Sequence, residues 1–217
     1  MIMQAIRFSR SLPTLRVSPI LRVIRTTIIA ALVLAWAVPG SAGSKYNLLL
    51  NPDLTQGTGD TPDYWHREAY AQGRTELTWS SNQFPGQLEV SSAQPNDARW
   101  DYNFHLEPGW YLFTASIKTK DVPANTAGAG ICVMEDGYCS QEVHGTTDWT
   151  PVGLYVKAGE NGDDGMLACR LGGYSAMNTG DAFCKDISVV QVDEPNPLDG
   201  NPVLDLDVER GLTPAQL

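Results

Sequence analysis

The chain has 217 residues, with 15 Lys and Arg against 25 Asp and Glu and a formal net charge of −10. So acidic a balance disfavours nucleic acid and anionic lipid as partners, because both carry the same sign of charge. Hydrophobic residues make up 42% of the chain, which excludes a wholly disordered polymer and allows a packed core.

Residues 1–42 read as an export signal. Arg7, Arg10, Arg16, Arg22 and Arg25 form a basic leader without an acid, and an apolar run follows from Ile28 to Val38. Pro39 and Gly40 break the run, and Ser41, Ala42 and Gly43 supply small residues for cleavage. The run has 11 residues, whereas spanning a bilayer takes about 20. A cleaved signal is therefore favoured over an anchor, and membrane contact is expected only if the segment is retained. Cleavage removes five arginines and no acid, leaving a net charge of about −15. An extracellular or periplasmic protein of that charge suits neutral polymers or small solutes.

Residues 45–192 form one domain of ordinary size. Helical periodicity is nearly absent there, and short period-two runs recur between clusters of Gly, Pro, Asn and Asp. Thr75–Ser80 and Gln87–Ser91 are two such runs. Arg99–Leu106 places Trp100, Tyr102, Phe104 and Leu106 on one face and Arg99, Asp101, Asn103 and His105 on the other. Glu107-Pro108-Gly109 is a turn, after which Tyr111, Phe113, Ala115 and Ile117 point inward. Gly130–Met134, Tyr138–Val143, Val152–Lys157, Met166–Leu171 and Phe183–Val192 continue the style. So many short strands predict an all-β, antiparallel sandwich, with jelly-roll and immunoglobulin-like topologies both open at this point.

Cys132, Cys139, Cys169 and Cys184 all lie behind the signal, and an even count in an exported chain favours disulfides. Three connectivities are possible. Met134–Gly137 reads as a tight turn that sets Cys132 across from Cys139. The glycine-rich stretch 172–180 is centred between Cys169 and Cys184, which predicts a second hairpin staple. Zinc is disfavoured, because no Cys-x-x-Cys pair occurs. The acidic loop Glu160–Gly165 reads as a solvated turn. From Asp193 to Leu217 four prolines and six acids against one Arg predict an extended or disordered tail. Val203–Val208 is the one stretch there with strand-like alternation.

Several segments carry a family resemblance: Asn47-Leu48-Leu49-Leu50-Asn51-Pro52-Asp53-Leu54-Thr55-Gln56-Gly57, then Pro62-Asp63-Tyr64-Trp65, then Leu106–Tyr111, Gly145–Thr150 and Gly180–Val190. In that order they resemble the galactose-binding-like jelly-roll carbohydrate-binding modules associated with glycoside hydrolases. The resemblance covers 45–192 and implies a jelly roll, a carbohydrate partner and no required cofactor. It also implies core roles for Trp65 and Trp149. Many such modules hold a structural calcium near the opening motif and closing strand, so Asp53, Thr55 and Asp186 would be its ligands here. Thr55 stands where an acid is usual, and Lys185 stands in place of one member of an Asp-Asp pair. Both departures weigh against the ion, and the Lys185 ammonium is a candidate replacement for it.

Sugar binding calls for flat apolar faces and planar polar groups. Trp79, Trp110, Tyr138 and Tyr174 lie among polar neighbours or near turns and are the expected stacking residues. Arg99, Asp101, Asn103 and His105 are the expected polar lining. Catalysis has little support, since the chain has three histidines and neither a Gly-x-Ser-x-Gly nor a His-Glu-x-x-His motif. Binding of a polysaccharide or envelope glycan is the leading expectation. The rivals are a small glycoside hydrolase acting through paired carboxylates and an interaction domain that has lost its sugar site.

Overall fold

The computed structural model of the chain describes residues 46–133, 137–196 and 199–209. The export signal read over 1–42 and most of the turn between Cys132 and Cys139 lie outside the described residues. Among the described residues no helix is long and apolar enough to cross a membrane.

The strands follow in chain order. β1 (Gly57–Thr58) and β2 (Thr61–Pro62) form a small hairpin. They precede β3 (Trp65–Ala69), β4 (Thr75–Ser80), β5 (Gln87–Asn96) and β6 (Ala98–Leu106). Next come β7 (Gly109–Val122), β8 (Ala129–Val133), β9 (Tyr138–Cys139) and β10 (Gly145–Ala158). β11 (Asp163–Leu171), β12 (Asn178–Val192), β13 (Val203–Asp205) and a helical turn, α1 (Leu206–Glu209), complete the series.

Two sheets carry the domain. A six-stranded sheet runs β13-β10-β7-β12-β5-β4, and a five-stranded sheet runs β3-β6-β11-β8-β9. The strands from β5 to β12 settle the topology that alternation left open. They supply β5, β12, β7 and β10 to one sheet and β6, β11, β8 and β9 to the other. That interleaved order is the eight-stranded jelly roll. Among the described residues all strand pairings are antiparallel except β13 on β10.

The alternation read from the sequence sets the core. Trp100, Tyr102 and Leu106 of β6 and Tyr111, Phe113, Ala115 and Ile117 of β7 are all buried. Phe104 and Phe113 meet edge to face at 5.3 Å between the two sheets. Each such pair adds about 0.5–1.5 kcal/mol beyond the area it buries. The Glu107-Pro108-Gly109 turn carries the chain from one sheet to the other. Gly109 has φ 141° there, a value that favours glycine.

Both asparagines of the opening motif have a structural task. The Asn47 carboxamide donates to Ile187 O at 2.8 Å and accepts from Val189 N at 3.0 Å, which ties the segment to β12. The buried Asn51 carboxamide donates to Gln56 O at 2.8 Å and accepts from the amides of Thr55 and Gln56, each at 3.2 Å. One side chain thus holds the loop that follows it.

Two expectations need correction. Cys132–Cys139 is a cross-strand bond between β8 and β9, as the turn implied. Cys169 also bonds Cys184, but it lies on β11 while Cys184 lies on β12, in the opposite sheet. The bond joins the two sheets and is not a hairpin staple. The jelly roll sends β11 and β12 to opposite sheets, so a short connection does not imply a shared sheet. The tail also differs from the extended linker expected. Val203–Asp205 pairs with Tyr155–Lys157, Leu204 and Leu206 are wholly buried, and Lys157 meets Asp205 at 2.8 Å.

Candidate functional site

The two edge strands β3 and β4 face each other across the side of the sandwich. Between them, closed by residues 70–74 and by the β1–β2 turn, lies a cleft of about 580 Å³. That volume falls within the range of small-ligand sites, about 300–1,000 Å³. Its apolar part comes from Trp79, Leu77 and Ala69, all half-buried and packed against the core. Its polar part comes from Asp60, Arg67, Glu68, Gln72, Thr75, Glu76 and Thr78.

Local bonds fix several of these groups. Trp79 Nε1 donates to Leu54 O at 2.8 Å, which anchors the indole by its polar edge. Trp79 is therefore half-buried at the cleft and is not the freely exposed aromatic expected. The Arg67 guanidinium pairs with the exposed Asp60 carboxylate at 2.9 Å and lies 4.9 Å above the Trp100 ring. The hydrogen bond from Arg67 and its charge hold the Asp60 carboxyl below the ordinary carboxylate range. Gln72 donates to Ala69 O at 3.2 Å. Glu68 and Glu76 are exposed.

Glu68 also borders the outer face of the five-stranded sheet. There it stands opposite Arg99, and His66 stands opposite Asp101. The expected polar lining of β6 does face outward. Arg99 and Asp101 nevertheless engage each other, with Arg99 Nε 2.9 Å from Asp101 Oδ1 and 3.1 Å from Oδ2. Burial pushes the Asp101 carboxyl above its ordinary value, and the Arg99 charge opposes that rise. Asn103 is exposed, and His105 Nδ1 lies 2.9 Å from Asp164.

Of the other expected stacking residues, Tyr174 is 70% exposed. It meets Tyr70, 56% exposed, edge to face at 5.2 Å. Tyr70 belongs to the connection that closes the cleft, and the alternation of β3 gave no sign of it. Tyr70 N donates to Asp97 O at 2.9 Å, and the Arg170 guanidinium forks onto the Asp97 carboxylate at 2.6 and 2.7 Å, both side chains nearly buried. Tyr138 instead packs half-buried against the core, opposite Val133. Trp110 faces outward on β7, half-buried, with Lys157 Nζ 5.8 Å from its ring centroid. Trp149 departs from its expected core role. It lies half-buried on the outer face of the six-stranded sheet, beneath two lysines.

The ligands implied for calcium take these places. Asp53 and Thr55 are exposed on the opening loop, and Asp186 is exposed in a bulge of β12 with φ 52°. The loop backbone already has the Asn51 carboxamide as its organiser. Among the described residues no three His, Cys, Asp or Glu side chains converge to hold a metal. Lys185, considered as the ion's replacement, rests its ammonium over Trp149.

No protein-family model matches the chain, and no curated protein does. Solved structures do. TmCBM61 in complex with β-1,4-galactotriose is similar at 14% identity and a TM-score of 0.47, over 68% of this chain and 99% of that one. A putative sugar binding protein from Bacteroides thetaiotaomicron is similar at 15% identity and 0.45, over 68% of this chain and 100% of that one. The enzymatically active domain of bacteriophage CBA120 tailspike protein 4 is similar at 12% and 0.46, over 67% of this chain. The match spans only 21% of that chain's length. Most of the other similar structures are also carbohydrate-binding modules, and the likeness is one of sandwich fold.

Proposed function

We propose that the chain is an exported, non-catalytic module that binds a neutral polysaccharide or envelope glycan in the cleft between β3 and β4. The composition of the cleft carries this reading. An indole, a leucine and an alanine offer apolar surface to the C–H faces of a sugar ring, and seven polar side chains border them. Carboxylates, a carboxamide and a guanidinium match the donors and acceptors of sugar hydroxyls. Three acids against one arginine make the cleft negative, which disfavours polyanionic chains. The two disulfides suit an oxidising compartment, in keeping with export.

Affinity electrophoresis through gels of neutral polysaccharides tests the proposal. At least one polymer is expected to retard the protein. Gln72→Ala and Glu76→Ala alter exposed side chains at the cleft, and each is expected to weaken retention about five- to tenfold, the worth of one lost hydrogen bond. Trp79→Ala is expected to abolish retention, with a thermal melt to separate lost contact from lost packing. Unaltered retention in all three variants would move the site elsewhere. Release of reducing sugar would replace binding by hydrolysis, with Glu68 and Glu76 as the carboxylates to examine.

A further inference from the structure

On the outer face of the six-stranded sheet, away from the cleft, two lysines from adjacent strands share one indole. Lys118 of β7 places Nζ 5.1 Å from the Trp149 ring centroid and 4.5 Å from that of Phe183. Lys185 of β12 places Nζ 4.4 Å from the Trp149 centroid. The register explains the meeting. Phe183 stands opposite Lys118, and Lys185 stands opposite Ser116, so all three side chains leave the sheet on one side. An irregularity in β10 between Thr147 and Thr150 brings Trp149 to the same side.

Apart from Arg74, which donates to Pro95 O at 3.2 Å, the other described cations differ from these two. Arg67, Arg99, Lys120, Lys157 and Arg170 each have a carboxylate oxygen within 3.5 Å. Lys185 comes no nearer than 3.9 Å to Asp186, and among the described residues Lys118 has no carboxylate within ion-pair distance. The nearby acids keep their charge but are held toward other partners. Glu89 accepts from Thr78 at 3.0 Å, Asp181 accepts from Ser91 at 2.6 Å and from Lys120 at 3.5 Å, and Asp148 accepts from Trp149 N at 2.8 Å. In a chain with 25 acids, two ammonium groups beside two aromatic rings thus retain their capacity for an anion.

We infer that this patch binds an acidic saccharide, one whose single carboxylate or sulfate lies between Lys118 and Lys185 while its ring rests against the part of Trp149 or Phe183 that the two ammonium groups leave exposed. The aromatic faces call for a sugar ring, and the ammonium pair calls for an anionic oxygen group. The net charge of −10 repels a densely charged polymer, so the acid groups of the ligand are isolated ones. The patch and the cleft are separate sites for ligands of different charge.

The test uses methyl β-D-glucuronide, methyl β-D-glucoside 6-sulfate and uncharged methyl β-D-glucoside, titrated into the full secreted protein with the tryptophan indole N–H signals followed by NMR. One or both charged sugars are expected to shift the Trp149 signal with saturation, at least about tenfold more tightly than the uncharged one. Which of the two binds tells carboxylate from sulfate. Lys118→Met and Lys185→Met keep the aliphatic cover on the rings and are each expected to weaken binding about tenfold. Lys→Arg at either position is expected to restore most of it. Gln72→Ala, a change confined to the cleft, should leave the response of the Trp149 signal to the charged sugars unchanged, whatever it does to the Trp79 signal. Equal response to charged and uncharged sugars, no response to any, or full binding by both methionine variants would overturn the assignment.

Discussion

Single side chains divide here between those that hold the scaffold and those that face a ligand, and Asp101 shows how the two are told apart. It faces outward from β6, yet it is only 5% exposed and is gripped by Arg99. Burial raises its carboxyl above the ordinary value. A group raised in the folded state stabilises the protein most below its unfolded value, and that contribution fades as pH rises through the folded value. Asp101→Asn removes this dependence. The stability of the variant relative to the parent is therefore expected to climb with pH just above the ordinary carboxylate value and then level off. Urea unfolding across that range reads the slope, and a falling difference would show that Arg99 outweighs burial. Asp60, lowered by Arg67, acts in the opposite sense and loses its contribution as pH falls. It is exposed, so solvent screens the effect to a small one. Asn51 belongs wholly to the scaffold. Asn51→Ala leaves the Thr55 and Gln56 amides without their acceptor and is expected to cost about 1–3 kcal/mol. The same replacement should also lower the thermal midpoint equally with calcium or chelator present. A calcium-dependent rescue would bring Asp53, Thr55 and Asp186 forward as ligands.

At the scale of elements the instructive case is β13. Its parallel pairing with β10 places Leu204 in the core beside the sandwich's own strands, and Leu206 follows it there from α1. Leu204→Ala is expected to destabilise the domain by about 2–4 kcal/mol, in line with other buried Leu→Ala changes. A loss within error in urea unfolding would show that the tail docks without contributing. Its alternation is visible in the sequence, but three residues between prolines and acids give too short a signal to outweigh a disordered composition. The strands β6 and β7 are the opposite case. Period two over the nine residues of β6 and from Tyr111 to Thr119 in β7 identifies both their inward faces and the polar face of β6. Edge strands were less legible. On β4 the indole of Trp79 has polar neighbours in sequence, and only the fold shows Leu54 O waiting for its N–H. The cleft was not legible at all. It arises because β3 and β4, consecutive in the chain, are edges of opposite sheets, and no local pattern reports that.

For the whole molecule, the difference between the two disulfides follows from the jelly-roll topology. Cys132–Cys139 closes a turn within one sheet, over a separation of 7 residues. Cys169–Cys184 crosses the core between sheets, over a separation of 15. Restricting the unfolded chain favours the longer loop only slightly, at about 3 against about 2 kcal/mol. Location widens the gap. Cys169 and Cys184 sit at 1% and 4% exposure within the core cluster, so replacing both with alanine also removes packed sulfur. Cys132 is also buried, at 3% exposure, but it lies on the outward side of its sheet, opposite Ala168 and outside the core cluster, and Cys139 is half-buried. The Cys169→Ala/Cys184→Ala pair is therefore expected to lose at least about 3 kcal/mol, and the Cys132→Ala/Cys139→Ala pair distinctly less. Equilibrium unfolding of both double variants, with the parent measured oxidised and reduced, separates the two contributions. If the bonds acted only through the unfolded chain, the reduced parent and the two variants would differ by loop length alone. A larger loss in the cross-sheet variant than in the reduced parent, which keeps its sulfurs, would measure what packing at the sheet interface adds. Equal losses in the two double variants would refute the claim that the cross-sheet position matters.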